Sequence, residues 1–241
     1  MLIDAIFGFS LTLCEELLDG ADPKQDLHLL LSTPGGDGEV AIRLARTLQS
    51  RCRELTVIVP AQAKSAGTLL ALGAHHIVMG PAGDLGPVDP QLMLQPGKLV
   101  SAKDIIATVD DAAARIEQRP QTYPLYASLM SDITGIVVQQ ARSALARTND
   151  QLMEAIKANP DRNHDQAEEL RAKLQKPLIE SSATHAAIFG AVEAEQFGLP
   201  VDRVDVSSDQ WKLLWRLWTS YFSLGQRFYE SSRCSQQFPQ L

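Results

Sequence analysis

Two segments of the 241-residue chain carry the residue types from which an acyl-transfer site is built: STPGGDG at 32–38 and AKSAGTLLALGA at 63–74. Each directly follows a short apolar run and directly precedes a stretch with helical spacing. A Gly-Gly pair at the end of a strand lets the backbone turn sharply and leaves its N–H groups uncovered by side chains. The first turn of a helix adds unpaired N–H donors and a partial positive charge. Ser65, just before the second helix, is thereby placed to direct its oxygen into a donor-lined pocket. The amides of Gly35 and Ala66, with Gly36 alongside, would hold the oxyanion of an acyl-transfer intermediate there. This is the logic of a nucleophile elbow without the G-x-S-x-G pattern. The plainer alternatives are that Pro34-Gly35-Gly36 is only a turn and that Ser65 is an N-cap whose oxygen satisfies a backbone N–H. Two such segments about thirty residues apart, across one βαβ unit, favour the chemical reading.

The elements that would position these residues follow from periodicity. Residues 4–18 show helical spacing and stop at Gly20. Leu27 to Ser32 and Leu55 to Pro60 are short apolar runs of the kind that make buried strands. Between them Val40, Ala41, Leu44, Ala45 and Leu48 mark one face of a helix. Residues 66–73 predict a further helix and 76–79 a third strand. That alternation implies parallel pairing and an α/β layer architecture. From 103 to 176 the pattern is almost wholly helical, punctuated at Asn159-Pro160-Asp161. Residues 190–197 predict a short helix closed by Gly198, followed by a strand at 201–204. Trp211, Leu214, Trp215, Trp218 and Phe222 form an apolar stripe at helical spacing near the C-terminus. One domain over 1–241, with an amphipathic aromatic helix at 208–228, is the simplest organisation.

STPGG, SAGTLLALGAHHIVM and LGPVDPQL resemble the signature segments of the serine dehydrogenase proteinase family. That family belongs to the Clp protease and crotonase superfamily, near signal peptide peptidase A and the stomatin-associated proteases. VEAEQFGLPVD at 192–202 is similar to the late helix–Gly–strand element of the superfamily, and the resemblance covers roughly residues 24–206. It implies an α/β fold of repeated ββα units with a helical C-terminal part; members of the family have additional strand structure ahead of the first helix, whereas this chain begins close to that helix. It also implies peptidase activity, with Ser65 as nucleophile and Gly35, Gly36 and Ala66 around the oxyanion hole.

The chain departs from the resembled pattern at the base. Clp-type proteases place a catalytic His in a loop after the serine helix, where this chain has GPVDPQ. Their acidic residue falls close to Ala186, next to His185, so a Ser-His-Asp triad does not transfer. The related membrane proteases use lysine, and a deprotonated buried lysine is chemically adequate. Lys103, which opens a helix soon after GPVDPQ, is the first choice. Lys98 and His185 stay open as alternatives. Lys64 adjoins Ser65, and adjacent side chains at such a turn diverge. A solvated surface role is the plain reading for each lysine.

Other chemical-looking groups read as structural. His75 and His76 are adjacent in a strand and so face opposite ways. Asp84 and Asp89 flank the GPVDPQ turn and predict turn caps. Cys14, Cys52 and Cys234 are dispersed and odd in number, which suggests inert thiols in a reducing, cytoplasmic compartment and no metal site. No cofactor is implied. A net charge of −7 and a pI near 5.2 argue against nucleic acid as a partner. The N-terminal MLIDAIFGFSLTLC lacks a basic start and carries Asp4, so it reads as a core helix and not a leader. The uncharged stretch 65–83 is broken by His75, His76, Gly80, Pro81 and Gly83, so no transmembrane segment is expected. The aromatic stripe predicts a packing or homo-oligomer contact face ahead of membrane association through 211–228. The expected function is a cofactor-free serine hydrolase acting on a peptide or protein. A non-catalytic oligomeric scaffold of the same fold and an acyl-CoA-binding enzyme are the alternatives.

Overall fold

The structure, a computed structural model, describes residues 1–180 and 188–221. Strand β1 (Leu2–Ile3) leads to helix α1 (Gly8–Leu17), β2 (Leu27–Ser32), α2 (Gly38–Gln49), β3 (Leu55–Val59) and β4 (Gln62–Ala63). Then come α3 (Ala66–Leu72), β5 (His76–Met79), β6 (Asp84–Leu85) and an antiparallel hairpin of β7 (Gln91–Gln95) and β8 (Lys98–Ser101). A helical stretch follows, with α4 (Ala102–Gln118), α5 (Tyr123–Leu129), α6 (Gly135–Ile156) and α7 (His164–Gln175). Helix α8 (Ala191–Gln196), β9 (Val201–Arg203) and a helix over 209–221, here α9, complete the described chain.

The main sheet has the order β1-β2-β3-β5-β9 and is parallel throughout. Successive side chains of a strand point to opposite faces. Leu29, Leu31, Val57 and Val59 enter the main core with α2, α3, α6 and α7, while Leu30 and Ile58 face Trp211 and Trp218 of α9. Helices on both faces explain why LHLLLS and LTVIV are nearly continuous apolar runs, without alternation. Helix α3 is buried at all seven positions. Its all-round apolar character therefore belongs to a core helix. Among the described residues no helix is long and apolar enough to cross a membrane.

Three expectations about elements are corrected. Helix α1 begins at Gly8, not at residue 4, because residues 4–6 turn through a positive φ at Asp4 and then run beside the 33–37 turn. Asp4 N–H donates to Ser32 O at 3.1 Å and Ile6 N–H to Gly35 O at 2.8 Å. Residues 103–176 are interrupted at Arg119, extended at φ −140° ahead of Pro120, and again before Thr134, whose Oγ1 caps α6 by accepting from Val137 N–H. The β7–β8 hairpin has no counterpart among the elements expected from periodicity. The two glycines of the 32–38 segment are followed by Asp37, which N-caps α2 through bonds from Glu39 N–H (2.8 Å) and Val40 N–H (3.2 Å).

Candidate active site

Ser65 stands between β4 and α3 at φ 48°, ψ −109°. Among the described residues only Asp4 shares a positive φ without being glycine. Side chains rarely adopt this region, and holding one there costs roughly 1–3 kcal/mol, which the surroundings must supply. The hydroxyl of Ser65 does not cap α3. The N-cap alternative is thereby removed, and the half-buried side chain keeps its oxygen for other use.

The surroundings are built to hold the strain. Thr68 is fully buried. Its hydroxyl lies 2.8 Å from both Ala63 O and Gly86 O and accepts from Gly86 N–H at 3.0 Å, which ties α3 to the 84–88 turn. Gly67 N–H donates to Lys64 O at 2.7 Å, closing the elbow itself. Thr33 crosses from the other segment: its N–H donates to Gln62 O at 2.9 Å, and its carbonyl accepts from Lys64 N–H at 3.0 Å. A Cβ on Gly67 would overlap Thr33 Cγ2, so the two segments meet only because residue 67 is glycine.

Gly35 and Gly36 have φ of 118° and 140°, open to glycine and strained for any other residue. A Cβ on Gly35 would stand 3.0 Å from Ser65 Cβ, and one on Gly36 would collide with the backbone of Ile6. The structure therefore brings Gly35 against Ser65, with Gly36 next along the same turn and Ala66 opening α3. Their amides are not equivalent. Gly35 N–H donates to Thr33 Oγ1 at 3.1 Å. Those of Gly36 and Ala66 donate to no backbone acceptor among the described residues.

The charged groups correct the sequence reading. Lys64 is not a solvated surface residue. Its Nζ lies 2.7 Å from Asp84 Oδ2, with both side chains only 14% exposed, and its stem runs over Gly86. Asp84 and Asp89 are not turn caps. Asp84 pairs with Lys64, and Asp89, almost fully buried, accepts from Ser101 Oγ at 2.9 Å. Lys98 is exposed in the hairpin, and Lys103 is half-buried in the first turn of α4. These two belong to the arm that follows the site, whereas Lys64 belongs to the elbow. His185 lies outside the described residues.

His75 and His76 take structural places. His75 Nδ1 accepts from Leu55 N–H at 2.9 Å, which assigns the neutral ring proton to Nε2, 3.3 Å from Asp161 Oδ2. Nε2 makes no hydrogen bond there. His76 faces Glu54 and Asp202. Burial pushes the thiols of Cys14 and Cys52 up, away from the reactive thiolate. Cys234 lies outside the described residues. No three His, Cys, Asp or Glu side chains among the described residues could share a metal ion. A cavity of about 510 Å³ lies under α1, walled by Phe9, Leu13, Cys14, Leu29 and Leu48, and includes no residue of the Ser65 turn.

The uncharacterized protein MJ0137 of Methanocaldococcus jannaschii is 32% identical over 191 residues, covering 78% of this chain and 58% of that protein. MJ1495 of the same organism is 27% identical over 176 residues, 73% of this chain and 52% of that protein. The membrane protein NfeD1b of Bacillus subtilis is 34% identical over 130 residues, 52% of this chain and 28% of that protein. The chain thus spans a little over half the length of the first two relatives, and less of the third. Among solved structures, a mutant of the 1510-N membrane-bound stomatin-specific protease superposes with a TM-score of 0.51 at 20% identity. The match covers 84% of this chain and 76% of that one, and shows the fold. The family of ClpP-like SDH-type serine proteinases matches over residues 19–220. With the glycine turn and the strained serine both inside that span, the chain belongs to the ClpP-like SDH-type serine proteinases.

Proposed function

We propose that the protein is a cofactor-free serine peptidase in which Ser65 attacks the carbonyl of a peptide or protein substrate. The observation that carries this reading is the uncapped serine at positive φ, facing Gly35, on which a Cβ would stand 3.0 Å from Ser65 Cβ. As the tetrahedral intermediate forms, the carbonyl oxygen gains charge and is held by the amides of Gly36 and Ala66, with Gly35 lining the same turn. Family membership supports the reaction class, and the half-length coverage of the relatives leaves substrate and partners to this proposal.

A base must take the Ser65 proton and return it to the leaving amine. We assign it to Lys103, on the helix that follows the hairpin, with Lys98 second and His185 as the rival. A lysine acts as base only when deprotonated, so activity then climbs on the alkaline side of neutrality. A histidine base would instead titrate near about 6.5. Hydrolysis of an activated ester, followed over a wide pH range in the parent, Ser65→Ala, Lys103→Ala and His185→Ala, tests the assignment. Ser65→Ala abolishes turnover, and Lys103→Ala reduces it far more than His185→Ala. The reverse order for the last two would transfer the role to His185. An inactive parent protein across substrates and pH would favour a non-catalytic scaffold.

We further propose a homo-oligomer, working in a reducing, cytoplasmic setting. The exposed apolar side chains of α9, Leu213 and Leu217, support a contact face. Two of the compared proteins carry membrane in their names, so detergent-dependent solubility would shift the same face toward a membrane role.

A further inference from the structure

Thr33 is fully buried and lies on neither the elbow nor the glycine pair, yet its hydroxyl touches both ends of Gly35, the first glycine of that pair. Oγ1 accepts from Gly35 N–H and donates to Gly35 O, each at 3.1 Å. Gly35 O also accepts from Ile6 N–H at 2.8 Å, and Asp37 N–H donates back to Ile6 O at 2.8 Å. The carbonyl of Gly35 and the amide of Gly36 belong to the same planar trans peptide and therefore point in opposite directions. Fixing the carbonyl with two donors fixes the direction of the Gly36 N–H as well.

We propose that Thr33 is a positioning residue for the reaction: its hydroxyl clips Gly35 so that the Gly36 amide is held as an oxyanion donor. The segment Asp4–Ile6 completes the clip from the outer side. Ile6 lies ahead of the span matched by the family, residues 19–220, so part of the support for the site comes from outside that span. Thr33 also contributes its methyl to the contact with Gly67. Hydroxyl and methyl therefore have separable tasks. The methyl keeps the two segments in contact, and the hydroxyl sets the direction of one N–H.

This proposal rests on the serine-hydrolase reading, and its test separates the two. Thr33→Val retains the branched shape and removes the hydroxyl, and Thr33→Ser does the opposite. Amide hydrogen exchange across 32–38 and turnover of an activated ester are measured for both and for the parent. In Thr33→Val we expect faster exchange at Gly35 and a fall in kcat of roughly 10–100-fold, part of the loss expected for one oxyanion donor. KM should be little changed and Tm within a few degrees. Thr33→Ser should retain kcat within about threefold, because serine keeps the hydroxyl that aims the oxyanion donor. Should Thr33→Val not fold, Thr33→Ala is compared with Thr33→Ser, from which it differs only by the hydroxyl, and the same fall in kcat is expected between those two. Parent-like kcat in Thr33→Val, or undiminished protection of Gly35, would overturn the proposal. An inactive parent would instead overturn the hydrolase reading, and the positioning role would fall with it.

Discussion

Ser65 and the glycines at 35 and 36 stand out in the sequence as candidates because residue type, spacing and flanking apolar runs coincide, whereas the φ of 48° at Ser65 leaves no mark there. The backbone strain at Ser65 leaves a thermodynamic trace. Glycine tolerates that φ, so Ser65→Gly should be more stable than Ser65→Ala by about 0.5–1 kcal/mol in urea unfolding, after glycine's own entropic cost is offset. Equal stability would mean that the turn is relaxed. Lys64 was not legible. Its ion pair with Asp84 at 2.7 Å depends on the pairing of β4 with β6, two-residue strands too short to leave a periodic signal. The burial of Asp89 is likewise set by Ser101, twelve residues away across the hairpin.

Elements with a strong period are legible almost to the residue: β2 at Leu27–Ser32, β5 at His76–Met79 and the α8–Gly198–β9 unit. The β7–β8 hairpin is not, although Pro96-Gly97 separates two runs that pair as Leu92 with Val100 and Met93 with Leu99. Its side chains pack only partly against a satellite cluster of α4 and α6, so the alternation carries little contrast. Helices α2 and α6 are joined by Arg147, which binds Glu39 at 2.6 Å and Glu154 at 2.6 Å. The hydrogen bonds from this guanidinium hold both carboxyls below the usual glutamate range. A lowered folded-state value adds stability above the unfolded value of about 4.3, and that stability is lost as pH falls through the folded value. Solvent screens these part-exposed groups, so Arg147→Met should cost only about 0.5–1 kcal/mol near neutral pH. The gap between variant and parent should close below about pH 4. Urea titrations near neutrality and at about pH 3.5 check this, and a gap that widens in acid would contradict it.

At the scale of the molecule, α9 turns a half-covered sheet into a closed one. Trp211 and Trp218 are 7% and 6% exposed against Leu30 and Ile58, whereas Trp215 is 41% exposed. The sequence showed the stripe but not its division between self-burial and surface, since that depends on which sheet face lies beneath. Phe222, the last member of the stripe, lies outside the described residues. Trp218→Ala should cost about 3–5 kcal/mol and Trp215→Ala about 0.5 kcal/mol. If Trp215 instead lies in an oligomer contact, its alanine variant lowers the sedimentation coefficient without lowering Tm. A parent that sediments as a 26.4 kDa monomer at tens of micromolar would remove the oligomer proposal. The nucleophile itself is tested most directly by treating the intact protein with a fluorophosphonate and mapping the adduct by peptide mass spectrometry. A single modified residue, Ser65, absent after Ser65→Ala, is the predicted result. An adduct elsewhere, or labelling that persists in Ser65→Ala, would contradict it.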